Sequence, residues 1–289
     1  MEEYSTEKAD EVCQPFINME WRVKWNLDNR KWDWKQMEHY FYISKENKAN
    51  LVWECSLTDI INEDNLHKLI TLYGEGIRAD NHSVTSMYLA GWFGYLCGWM
   101  HFLQSQSQYI QPSYITVQLY RTAKGTMLLS FTINEKHLVP LTNANVLFSF
   151  YESVMTPLYI KMSEQFDTNL QHMWYQATHS LYWISHRMIH STKPLNQKTF
   201  VSYEQALETF KNDALPELFG ASTKKNPYTK KLIFIDNPWD IQDPLPLKPS
   251  CCLAYQTKGG HFCYTCPKMK KTEREKKFHE VMEKHTTTG

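Results

Sequence analysis

The sequence predicts an α+β protein with a helix-dominated body, a small antiparallel sheet and a C-terminal cysteine-rich segment. Three observations carry that expectation. Apolar residues recur at helical spacing over several long stretches. Two runs within 113–133 are instead rich in β-branched and aromatic residues. Four of the seven cysteines fall between Cys251 and Cys266.

Taken in order, residues 16–56 are dense in Trp21, Trp25, Trp32 and Trp34 beside Arg22, Lys24, Arg30 and Lys31. Aromatic and basic interleaving occurs in single-strand nucleic-acid binders. Here the net charge is zero and no RNP-type motif is present, so packing of Lys and Arg stems over rings is the expectation. Tyr40–Ile43 and Leu51–Cys55 have strand composition and are separated by a polar Lys/Asn turn. From Thr58 onward, Ile60, Ile61, Leu66, Leu69, Ile70 and Tyr73 outline a helix ending at Gly74.

Asn81 or Ser83 then caps a long apolar helix. Its centre, Ser86–Leu103, is eighteen residues without a formal charge, the lower edge of membrane-spanning length. Gly, Tyr and His dilute its hydrophobicity and no Lys or Arg lies close to either end, so a buried core helix is expected rather than a stable membrane span. Ala90, Gly94 and Gly98 recur every four residues, a ridge along which another helix can approach closely. A hairpin follows over 113–133, turning at Ala123-Lys124-Gly125. Helical patterns cover 143–167, 169–190 and 202–213, the last with Ser202 as N-cap. Lys231–Asp236 reads as a short buried strand. Asn237–Pro249 holds four prolines and reads as a stiff connector, after which come the cysteines and a charged helix over 272–284. The expected domains are therefore a body over 1–236, a Pro-rich connector over 237–249 and a cysteine segment over 250–289.

The 31 basic and 31 acidic residues cancel, which argues against gripping phosphate backbones or anionic membranes as the main task. The cancellation is uneven, because from Lys248 onward nine Lys/Arg face four Glu, so this tail is +5 and the rest −5. With 10 Trp, 17 Tyr and 14 Phe, the chain is equipped for large hydrophobic contacts or an aromatic-lined pocket. The N-terminal stretch shows neither a basic n-region nor an apolar h-region, so disulfides are not expected and clustered thiols read as metal or redox ligands.

Cys251, Cys252, Cys263 and Cys266 are spaced C-C-x10-C-x2-C. Four thiolates suit either a [2Fe–2S] cluster or an all-cysteine zinc site. The C-x2-C pair is the usual bite on one metal, whereas vicinal cysteines can share a site only from an irregular turn. Gly259-Gly260 would permit close backbone approach. A further constellation is His172, His179 and His186, spaced by seven, with His190 four later. On a helix these share a stripe, beside Trp174, Tyr175, Tyr182 and Trp183, and His179 and His186 are candidate substrate-binding residues. Gly74-Glu75-Gly76 imitates a dinucleotide fingerprint but comes after a helical pattern rather than a strand. No hydrolase or P-loop motif occurs. Cys13, Cys55 and Cys97 lie in separate elements, Cys97 as a core residue.

The vicinal pair, the ten-residue gap, the C-x2-C and their place near the C-terminus resemble the FhuF family of siderophore-iron reductases. The resemblance implies a [2Fe–2S] cluster on Cys251, Cys252, Cys263 and Cys266, making 250–289 an iron–sulfur segment. It implies one-electron reduction of Fe(III) held by a siderophore of hydroxamate type, in the cytoplasm or loosely associated with the inner face of the membrane. The body, 1–236, would bind the siderophore. An electron donor of ferredoxin, flavodoxin or flavin reductase type is implied as a partner. Hard oxygen donors hold Fe(III) far better than Fe(II), so adding one electron releases the metal. Lysines of the basic tail would offset cluster charge and attract an acidic donor or anionic complex. The alternative is a non-catalytic binding protein with a structural four-cysteine zinc site. A third possibility is an iron–sulfur sensor, which no DNA-binding segment supports.

Overall fold

The structure, a computed structural model, describes residues 33–143, 145–191 and 194–286. The chain divides after Asp33, and all the helices and strands named here belong to the unit beginning at Trp34. The stretch holding Cys13, Trp21, Trp25 and Trp32 lies outside the described residues, and most of the Trp/basic pattern lies there with it.

Two helices organise the unit. Helix α3 (His82–Ser105) is buried around most of its circumference, from Val84 to Leu103, as its nearly continuous apolar sequence requires. Asn81 caps it, its side chain accepting from Val84 N, so of the two candidate caps the asparagine is used. Helix α6 (Leu170–His190), capped by Asn169, lies alongside. The small-residue ridge of α3 is the seam between them. A Cβ added to Gly94 would stand 2.6 Å from the Ala177 Cα, and a side chain on Gly98 would collide with Ile184. Ser180 Oγ donates to the Gly91 carbonyl at 2.7 Å, and the Tyr159 hydroxyl, from a neighbouring helix, donates to the Ala90 carbonyl at 2.7 Å. No helix among the described residues is long and apolar enough to cross a membrane.

The remaining elements wrap this pair. Helix α1 (Trp34–Phe41) occupies residues expected to begin a strand. Met37, Tyr40 and Phe41 share one buried helical face (spacing i, i+3, i+4), and the strand β1 is only Ile43–Ser44, entered through Tyr42 at φ 60°. Strand β2 (Leu51–Ser56) agrees with expectation. Helix α2 (Glu63–Ile77) starts later than the apolar pattern suggested, because Asn62 supplies the cap; Ile60 is buried in the preceding turn. It also runs past Gly74 to an αL residue, Arg78. Gly74 and Gly76 are therefore helical, which disposes of a phosphate-binding turn.

Strands β4 (Ile115–Arg121) and β5 (Met127–Ile133) form the expected hairpin. The sheet order is β1-β5-β4-β2, antiparallel except that β1 runs parallel to β5, so the sheet is mixed rather than purely antiparallel. A short pair, β3 (Gln108–Tyr109) with β6 (Val139–Pro140), flanks it. The predicted helix over 143–167 is α4 (Val146–Phe150), a π turn (Tyr151–Met155) and α5 (Thr156–Gln165) in succession. Pro157 explains the widening, since it has no N–H for the Ser153 carbonyl and its ring would press on it.

Helix α7 (Gln197–Asp213) begins five residues before the predicted start. Asn196 is its cap, and Ser202 Oγ instead bonds back to the Lys198 carbonyl inside the helix. The predicted buried strand over Lys231–Asp236 shrinks to β7 (Phe234–Ile235), which pairs with β8 (Leu245–Pro246) in a surface ribbon; Ile233 is 66% exposed. Its apolar composition misled because Phe234 packs on the Tyr182 ring rather than into the core. Helix α8 (Lys271–Thr286) closes the described chain.

Gly94→Ala tests the seam. Alanine favours a helix by about 1 kcal/mol, but overpacking against backbone that cannot swing aside costs about 1–3 kcal/mol. The thermal midpoint should fall, and an unchanged or raised midpoint would contradict the close approach.

Candidate metal centre

The four cysteines of the C-terminal segment come together. Cys251, Cys252 and Cys266 are buried and Cys263 is half-buried. Cys251 Sγ and Cys266 Sγ are 3.5 Å apart, and Cys252 and Cys263 are the second pair, each thiol being the chief electrostatic influence on the other. The close contacts therefore run crosswise, 251 with 266 and 252 with 263, rather than within the C-x2-C pair. Vicinal side chains diverge, and Leu253 in the αL conformation (φ 61°) makes the irregular turn that lets each sulfur find its own partner. Gly260 serves a different purpose from the one expected. A Cβ there would strike the Ala254–Thr257 turn, and its N–H donates to the Thr257 carbonyl at 2.7 Å, so it shapes the loop.

Several bonds fasten this segment to the body. Gln176 on α6, buried, donates through Nε2 to the Ser250 carbonyl at 2.9 Å and to its hydroxyl at 2.6 Å. Ser250 Oγ in turn donates to the His172 carbonyl. Asp80 N donates to the Gln256 carbonyl and Lys258 N to the Arg78 carbonyl, which ties the loop to the α2–α3 junction. From the other side, α8 supplies Arg274, whose guanidinium donates to the Tyr264 and Cys266 carbonyls at 3.0 and 2.7 Å. Lys277 donates to the Phe262 carbonyl at 3.0 Å. Of the basic tail, these two hold the cysteine loop, while Lys271 and Lys276 make exposed pairs with Glu275 and Glu280.

Electrostatically, the site is built for negative sulfur. Leu253 N–H donates to Cys251 Sγ at 3.4 Å, and Lys248 Nζ donates to Cys252 Sγ at 3.2 Å. The Cys263 thiol hydrogen bond holds Cys252 down to about 5, against the effect of burial and with help from Lys248. Cys263 is pushed up chiefly by that same bond, and Cys251 rises to about 11 through burial. Burial disfavours charge on Lys248, but Cys252 and Cys263 outweigh it and its ammonium is stabilised.

The seven-residue spacing does line the histidines along α6, in unlike surroundings. His172 and His190 are exposed. His179 is half-buried and accepts from Trp183 Nε1 at 3.1 Å; burial first and Lys248 second push it down to about 3, so it is neutral near pH 7. His186 Nε2 lies 2.9 Å from the Asp243 carboxylate, and its ring packs 4.5 Å from that of His190. Cys55 is half-buried in β2 and Cys97 is buried on α3, both away from the cysteine segment by element. Sequence reasoning missed Gln176, and it counted Lys248 and Arg274 only as charges of the tail.

Among the described residues, no three His, Cys, Asp or Glu side chains are placed to hold a single metal ion. Two close sulfur pairs are a different donor set. A zinc ion would draw all four sulfurs round one centre, whereas each iron of a [2Fe–2S] cluster takes two thiolates. The buried sulfurs, the N–H donor and the lysine fit the latter group.

Gln176→Leu should loosen the anchor. The Ser250 carbonyl would lose its buried donor at a cost of about 1–3 kcal/mol. Amide exchange over Leu253–Lys258 should quicken while the α3 core stays protected. Unchanged exchange in that loop would contradict the anchoring role.

Comparison with known proteins bears on this segment. No curated protein and no solved structure matches the chain. Residues 250–268, which span all four cysteines, match the family model of the FhuF 2Fe–2S C-terminal domain, and the match and the clustered cysteines together support a [2Fe–2S] cluster as the cofactor.

Proposed function

We propose that the protein is a ferric siderophore reductase of the cytoplasm, acting on hydroxamate-type complexes, with Cys251, Cys252, Cys263 and Cys266 as cluster ligands. The observation that carries this reading is the nest of two crosswise sulfur pairs within the FhuF-like segment. When bound, the cluster supplies single electrons, the unit needed to convert Fe(III) to Fe(II).

The chain's own residues do the rest. Lys248 and the Leu253 N–H stabilise negative charge on Cys252 and Cys251, which favours the reduced state. Burial of three sulfurs excludes water from the site. Cys263, the most open of the four, marks the side on which electrons enter or leave. Little acid–base machinery is required, because the ferric complex weakens once its iron is reduced. The donor is of ferredoxin, flavodoxin or flavin reductase type, and the basic tail from Lys248 suits an acidic one.

The test is anaerobic mixing of dithionite-reduced protein with a ferric trihydroxamate and a ferrous chelator. The wild-type protein should yield the ferrous chelate, and Cys263→Ser, with unchanged far-UV circular dichroism, should yield almost none. Reduction by the variant at the wild-type rate would refute the mechanism.

A further inference from the structure

Beside the cysteine nest lies a half-buried aromatic face that has no part in holding the sulfurs. Tyr88, Trp92 and Tyr95 succeed one another at i, i+4 and i+7 on α3, so they share one side of that helix. Tyr42 joins them, its ring 4.7 Å from Trp92 and 4.9 Å from Tyr95. The Arg187 guanidinium of α6 lies over the Tyr95 ring at 4.8 Å and the Tyr42 ring at 5.4 Å. At the other end, the Tyr88 hydroxyl is within electrostatic reach of Lys248, Cys252 and Cys263, and Tyr95 senses both Lys248 and Arg187. Tyr88 is therefore the end of the face nearer the nest.

Two features of this face are unusual for packing alone. The Arg187 guanidinium donates to the Trp183, His39 and Tyr40 carbonyls and the Tyr42 hydroxyl, and the Lys248 ammonium to Cys252 Sγ. Among the described residues no carboxylate neutralises either cation. Nor does the hydroxyl of Tyr88 or of Tyr95 have a hydrogen-bond partner there. Two half-buried tyrosines whose hydroxyls have no protein acceptor, beside an arginine that faces only neutral groups and a lysine that faces only sulfur, suit a ligand rich in oxygen acceptors that is not itself cationic. Aromatic faces beside them suit a ligand with hydrocarbon between its oxygens.

We propose that Tyr88, Trp92, Tyr95, Arg187 and Lys248 form the docking face for an uncharged or anionic iron complex of oxygen donors. Its ligand oxygens accept from the two hydroxyls and two cations, its hydrocarbon lies on the rings, and its iron is brought beside Cys252 and Cys263. The proposal rests on the reductase reading and adds the place and charge class of the substrate. It also moves the site away from His186, which is already paired with Asp243.

The gallium(III) form of an uncharged trihydroxamate is the probe, since gallium has the charge of ferric iron but is not reduced. Calorimetric titration of the holoprotein should show binding. The double variant Tyr88→Phe/Tyr95→Phe, which removes only two hydroxyls, should bind about tenfold more weakly. With the ferric complex its KM should rise by a similar factor while kcat is nearly kept. A trihydroxamate carrying a free ammonium should also bind more weakly, and Tyr114→Phe, in the polar cavity lined by Lys45 and His137, should leave binding unchanged. If the wild type binds and reduces while the double variant matches it within about twofold, the docking face is wrong and the reductase reading stands. If the wild type neither binds the gallium complex nor reduces the ferric one, both fall.

Discussion

The approach of α3 to α6 sets the position of almost everything else. Where Gly94 faces the Ala177 backbone, the two helices touch without intervening side chains, so their remaining residues are held at fixed offsets. On one flank, this contact places Gln176 where it can seize Ser250 and so fix the start of the cysteine loop. On another, it brings Arg187 over Tyr95. A wider seam would separate the anchor from the aromatic face, and the chemistry at the C-terminal segment would lose its neighbours.

The cysteine loop has little hydrophobic core of its own; Cys251, Cys266 and Met269 form one small buried cluster, packed with Leu253, Tyr255, Phe262 and Cys263. Its shape is instead imposed by hydrogen bonds from outside. Gln176, Asp80 and Lys258 bind it to the body, and Arg274 and Lys277 satisfy carbonyls on its far side. That division explains the uneven charge of the chain. Part of the basic tail serves the loop's backbone, and Lys248 serves its sulfur, so the +5 segment surrounds a site suited to negative charge.

The elements legible in the sequence were those whose signal is local. The apolar run of α3, the hairpin at 115–133 and the four-cysteine spacing each contain their own pattern, and each stands where expected. What failed depends on distant partners or on competing caps. Tyr40 and Phe41 have strand composition, yet burial on one side of α1 decides their conformation. Ser202 resembles a cap, but Asn196 comes first and a helical serine bonds back to its own turn. Crosswise pairing of the cysteines was hidden because it depends on one αL residue, Leu253. Lys248 and Gln176 gave no local signal, since their roles exist only once the loop lies against α6.

Two sulfur pairs, rather than one quartet, define the metal centre. Iron, zinc and acid-labile sulfide analysis of anaerobically purified protein tests this most directly. Two irons and two sulfides per chain and no stoichiometric zinc are expected, as a [2Fe–2S] cluster requires. One zinc per chain without labile sulfide would contradict it.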